Sequence, residues 1–133
     1  MLQRSTDTAI AIVRIIVGCF MIIHGKEIFD AEIMSRYPDM MPKINIGSPV
    51  VMSYFGKTAE LLSGILLFLG LFTRAGAVLM AGTMAFITFM VGQGRFYMED
   101  QHPFMFVLLA FIFFFDGGKK WSLDNLIFKK RRN

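Results

Sequence analysis

The chain has 133 residues, of which 55% are hydrophobic and 18% charged, with a mean hydropathy of +0.55 and a formal charge of +4. A soluble domain of this size carries about a quarter of its residues charged, so the composition excludes a water-soluble globule and points to the lipid bilayer. A single cysteine excludes a self-contained dithiol relay, and the sequence has no metal-spaced Cys/His cluster, phosphate loop or nucleophile elbow.

In chain order, the first apolar run, 8–24, contains Arg14 and lacks a small-residue cleavage site. It reads as a membrane span and not as a signal peptide. A long loop, 25–49, follows, with Pro38, Pro42 and Pro49. Its start, "KEIFDAEIM", spaces Ile28 and Phe29 against Glu32 and Ile33 as on a helix, which predicts a short helix lying on the membrane surface. The second span, 50–72, and the third, 75–92, are joined by little more than "TRA", so they form an antiparallel hairpin. Between Arg74 and Arg95 lie 20 uncharged residues, about what a helix needs to cross a hydrocarbon core of roughly 30 Å. The fourth span, 103–115, is short; it is extended at one end, lies in thinned bilayer, or packs inside the bundle. "DGG" then breaks the helix, Ser122 caps a short helix in "WSLDNLIF", and Trp121 belongs at headgroup level.

Four spans place both termini on one side. That side carries Arg4, Arg74, Lys119, Lys120, Lys129, Lys130, Arg131 and Arg132, against Lys26, Arg36, Lys43 and Arg95 opposite. The opposite side also holds Glu27, Asp30, Glu32, Asp39, Glu99 and Asp100. The positive-inside bias puts both termini in the cytoplasm, in an inner (cytoplasmic) membrane. The tail "KKRRN" sets topology and meets anionic lipid; it does not indicate nucleic acid. The expected fold is an all-α, integral membrane four-helix bundle, one domain over 1–133.

Arg14, Lys57 and Glu60 are the ionised residues well inside the spans. At 100° per residue, Ser53, Lys57, Glu60 and Gly64 share one narrow stripe, and Arg14, Gly18, Met21 and Gly25 another. Small-and-polar stripes of this kind pack helix on helix, with the bulky faces toward lipid. An unpaired charge at mid-bilayer costs about 2.5–3.5 kcal/mol on insertion scales, so pairing is expected. The helix directions predict that Glu60 is ionised and bridges Arg14 across the interface. The cluster either only fixes which faces meet, or binds an anionic or quinone-like headgroup or relays a proton.

His24 and His102 lie at the outer ends of their spans. A bis-histidine haem is conceivable between helices, but His102 precedes Pro103 and so is expected in a non-helical position. The two are read instead as interfacial hydrogen-bonders, or as the mouth of a cavity with Gln93, Glu99 and Lys57. Cys19, eleven methionines and fifteen phenylalanines read as apolar filling.

"VRIIVGCFMIIHGKEIF", "GKTAELLSGILLFLGLFTRAGA", "HPF" and "GGKKWSLD", in this order along nearly the whole chain, resemble the DoxX family of small four-helix membrane proteins. One departure is "GGKK", where the family often has a Gly-Pro-Gly-like turn. The resemblance implies a membrane redox setting. The family is named for a subunit associated with archaeal quinol oxidase; it includes subunits of thiosulfate:quinone oxidoreductase and proteins proposed to join redox complexes in thiol-stress defence. Its recurrent positions fall here on Arg14, His24, Gly25, Lys57, Glu60, Gly64, Arg74 and Trp121, none an agreed catalytic residue.

Two functions follow. In one, the chain is a subunit of, or accessory to, a quinone- or thiol/sulfur-linked redox system, with Arg14, Lys57, Glu60 and His24 around a polar pocket. Lys57 would hold an anionic group and Glu60 or His24 would handle a proton. In the other, it is a non-catalytic scaffold that docks a redox-complex protein or a second copy of itself. Whether the chain is an enzyme stays open.

Overall fold

Backbone amides in hydrocarbon have no water to bond, so a spanning chain satisfies them internally as helix. A computed structural model describes residues 2–41, 47–95 and 97–129 and is all-helical there. Pro42, Lys43 and the basic residues beyond 129 lie outside the described residues. The helices are α1 (Leu2–Gly25), α2 (Ala31–Met40), α3 (Pro49–Leu69), α4 (Thr73–Phe86), α5 (Gln101–Asp116) and α6 (Leu123–Lys129). A 3₁₀ turn, Lys26–Phe29, follows α1, and a π turn, Ile87–Val91, extends α4. Three of these segments are long and apolar enough to cross a membrane, and α5 is a shorter apolar helix.

The surface helix differs from the expectation. Asp30 breaks it: extended there, its side chain accepts from the amides of Glu32 and Ile33 and starts α2 afresh. α5 begins at Gln101, so His102 is helical after all. Pro103 falls in the first turn, where its missing N–H would have had no partner anyway.

α1 and α3 pack backbone to backbone along the two predicted stripes, and all eight stripe residues are buried. A Cβ on Gly18 would come within 2.6 Å of the Phe68 amide nitrogen, and one on Gly64 within 2.7 Å of that of Ile22. Such close approach is what small residues permit between membrane helices. On the other side of α1 and α3, Val17, Met21 and Leu67 join Ala77, Met80 and Met84 of α4 and Phe106, Val107, Ala110 and Phe113 of α5 in one core.

The α3–α4 turn is clasped by the C-terminal segment. Gly70, at φ 63°, ends α3: its amide bonds Leu67 O at 3.2 Å and the Leu71 amide bonds Leu66 O at 2.9 Å. Asp124 then caps α4 from outside, accepting from the amides of Phe72 at 2.7 Å and Thr73 at 2.8 Å. Ser122 Oγ accepts from the Asn125 amide at 3.1 Å, the cap read from the sequence. Phe72 and Trp121 are left-handed at φ 45° and 48°, a conformation bulky residues keep only when their surroundings over-determine it.

Gly64→Leu puts side-chain atoms where the α1 backbone runs. It is expected to destabilise the protein by about 1–3 kcal/mol or more, the range of overpacked cores. Thermal unfolding in detergent checks this, with Gly56→Ala, whose Cβ would meet nothing within 4 Å, as the silent control.

Candidate functional site

The antiparallel crossing at Gly18 and Gly64 sets which residues meet. It carries Arg14 to the C-terminal end of α3, not to Glu60, so the predicted Arg14–Glu60 bridge does not form. Arg14, 1% exposed, donates to Leu67 O at 2.8 Å, Trp121 O at 2.7 Å and Lys120 O at 3.2 Å. Glu60 stands seven residues, about 10 Å, back along α3. The reason is register: the last carbonyls of α3 form the negative end of its dipole, and Leu67 O, which accepts from the Gly70 amide, keeps a second lone pair for the guanidinium. Arg14 therefore ties α1 to α3 and to the C-terminal segment.

The same register brings the far end of α1 to Lys57. Its ammonium lies 2.8 Å from Glu60 Oε2 and 2.9 Å from Glu27 Oε2, and donates to His24 O at 3.4 Å. It also sits 4.7 Å over the Tyr37 ring, a cation–π contact from α2. The Tyr37 hydroxyl in turn donates to Glu27. Burial, then that bond to Glu27, pushes the Tyr37 hydroxyl above its usual range, so it remains a donor. One cation thus joins α1, the 3₁₀ turn, α2 and α3.

Beside this cluster lies a cavity of about 660 Å³, within the usual size range of small-molecule sites. Lys57, Glu60, His24 and His102 all line it, while Arg14 does not. The two histidine rings meet edge to face, with centroids 6.4 Å apart. Gln93 and Glu99, placed at the same mouth by the sequence reading, do not line the cavity; both are exposed, and Glu99 pairs with Arg95 at 3.6 Å. The remaining wall is mostly apolar, from Met21, Met52, Met84, Phe86 and Phe106 among others. Ser53 and Thr83 also line it, but their hydroxyl hydrogens go to Pro49 O and Leu79 O, each at 2.8 Å, leaving lone pairs toward any neighbour. The π turn contributes Ile87 and Val91.

The sequence reading missed Glu27 and Tyr37. A signal was present: a lysine buried in a span needs more than one acceptor, and Glu27 follows the end of α1 directly.

Lys57→Met leaves Glu60 and Glu27 without their cation. Half-removing a buried pair costs about 3–5 kcal/mol, so a large fall in unfolding temperature is expected. Adding Glu60→Gln to that variant is expected to restore part of the loss, a coupling that a double-mutant cycle reads directly.

Comparison with known proteins places this geometry. The chain is 31% identical over 138 residues to an uncharacterized protein of Haemophilus influenzae (strain ATCC 51907 / DSM 11121 / KW20 / Rd), covering 97% of this chain and 98% of the relative. It is 28% identical over 138 residues to a Bacillus subtilis (strain 168) protein named "Putative oxidoreductase CatD", covering 99% of this chain and 96% of that one. No solved structure matches the chain significantly. The family model for DoxX matches residues 9–93, which include most of α1, all of α3 and α4 and the Lys57–Glu60 cluster, and the chain belongs to the DoxX family.

Proposed function

We propose that this multi-pass membrane protein binds the reduced, hydroxyl-bearing form of a membrane quinone in the cavity beside Lys57 and Glu60, as a subunit of or accessory to a redox system. The observation that carries this reading is the donor–acceptor balance of the cavity. The three N–H donors of Lys57 already serve Glu60, Glu27 and His24 O, so it is not free to hold an anion. Of the polar groups left on the lining, the Glu60 carboxylate and the Ser53 and Thr83 oxygens are acceptors, while His24 and His102, each with one N–H and one bare ring nitrogen when neutral, offer both. An uncharged, flat, apolar molecule with hydroxyl donors complements the buried Glu60 and Ser53 oxygens; a carboxylate or a sulfonate does not.

Charge arithmetic supports a proton role. Taken ionised, Lys57, Glu27 and Glu60 sum to −1, so one proton brings the cluster to neutrality inside a low-dielectric region. Glu60, which lines the cavity beside Lys57, would accept a ligand proton, with Lys57 compensating its charge. The family and the name of the Bacillus subtilis relative favour a redox setting.

The internal satisfaction of Lys57 favours a second reading, in which the cluster only locks α2 onto the bundle and the protein is a scaffold. One substitution separates the two. Glu60→Gln keeps Lys57 paired with Glu27, so the quinol reading expects a folded protein whose quinol affinity drops about tenfold, read by fluorescence titration in nanodiscs. A variant that no longer folds, from a parent that binds no quinol, supports the scaffold.

Both termini are proposed to face the cytoplasm on the basic surplus of that side. A C-terminal reporter active only in the cytoplasm is expected to be active, and a reporter active only outside it to be silent.

A further inference from the structure

We infer that the gap between the outer halves of α3 and α4 is a slot open to lipid, through which the apolar tail of the cavity's ligand extends. This rests on the quinol reading above and adds to it the form of the ligand: a membrane-resident molecule with a long hydrocarbon or isoprenoid tail, not a small water-soluble one.

The hairpin starts closed and ends open. Near its turn the two helices touch: a Cβ on Gly76 would lie 3.0 Å from Leu66 Cβ and 3.5 Å from Ser63 O. About 10 Å further from the turn, Gly56 of α3, on the same helix face as Ser63, has nothing within 4 Å of where its Cβ would lie, and Gly82 of α4 likewise has open space beside it. Both glycines line the cavity, so the empty space beside them belongs to it. Gly82 is itself exposed, and the α3 bank carries Val51 and Phe55, 66% and 76% exposed. A gap between helices bordered by exposed apolar side chains opens toward acyl chains, because these faces cannot be left in water.

The α2 side is covered. Tyr37, Met40 and Met41, from α2 and its end, line the cavity on the loop side, and Tyr37 is held there by Glu27 and Lys57. Glu60 and Ser53, 4% and 2% exposed, are the buried polar groups of the lining, whereas Gly82 is exposed at the α3–α4 flank. A molecule with a polar head and an apolar tail fits this layout in one orientation, head to Glu60 and tail past Gly82.

Gly56→Leu and Gly82→Leu fill the slot and leave the polar wall untouched; leucine also suits a helix better than glycine. The probes are ubiquinol and menaquinol headgroups, each with a decyl tail and with none, titrated against the full chain in nanodiscs. The expected result is a loss of about tenfold or more in equilibrium affinity for the tailed probes, with the tail-less ones unchanged. Equal losses for both kinds of probe, or no loss for either, overturn the slot while leaving the quinol site standing. If no probe binds the unmodified protein, the quinol reading itself falls, and the slot with it.

Discussion

A lysine ammonium inside a bilayer cannot borrow water, so the protein around it supplies every partner. The arrangement at Lys57 follows from that single constraint. Two carboxylates, a carbonyl and an aromatic face converge on it from α1, the 3₁₀ turn, α2 and α3. The polar end of the bundle is organised by this demand. α2 turns Met34, 3% exposed, into the bundle, and Tyr37 ties it to Glu27 and Lys57.

The opposite end solves the same problem with a different anion. Arg14 has no carboxylate within its bonds; it takes backbone carbonyls where α3 stops and where the chain turns toward α6. Asp124 does the reverse for α4, giving a carboxylate to amides left over where that helix starts. Helix ends are thus treated as partial charges and matched by side chains far away in sequence. The strained backbone at Phe72 and Trp121 is held by these bonds, so the turn, the C-terminal segment and Arg14 form one unit. Between the two charged ends α1 and α3 approach closely at Gly18, Gly25 and Gly64.

The cavity inherits its chemistry from these structural choices. Because Lys57 is saturated by its own protein, the buried polar groups left in the space beside it, Glu60 and Ser53, offer acceptors. Because Gly56 and Gly82 lack side chains, that space is continuous with the flank of the hairpin. A redox carrier dissolved in the membrane is the class of molecule that meets both conditions, and membership of the DoxX family sets that chemistry in a redox context.

The helices, their order and the two packing stripes were legible in the sequence, because membrane-length apolar runs and 3.6-residue periodicity are local properties of a chain. Alternating span directions put Lys57, His24 and His102 toward one end, but the same reading added Arg14 to that cluster and set Glu60 near mid-span beside it. The partner of each charge was not legible. Arg14 and Glu60 share facing stripes, and only the register of α1 on α3, set by backbone contact at Gly18 and Gly64, decided that they miss each other by about two turns. Glu27 and Tyr37 reached Lys57 because Asp30 restarts the helix and turns α2 back over the bundle. The cavity depends on how far α3 and α4 diverge, a property of packing angles that no single segment encodes. The sequence by itself determined which residues must be buried and paired; tertiary structure alone decided with whom, because register and crossing angle are settled by all the helices at once.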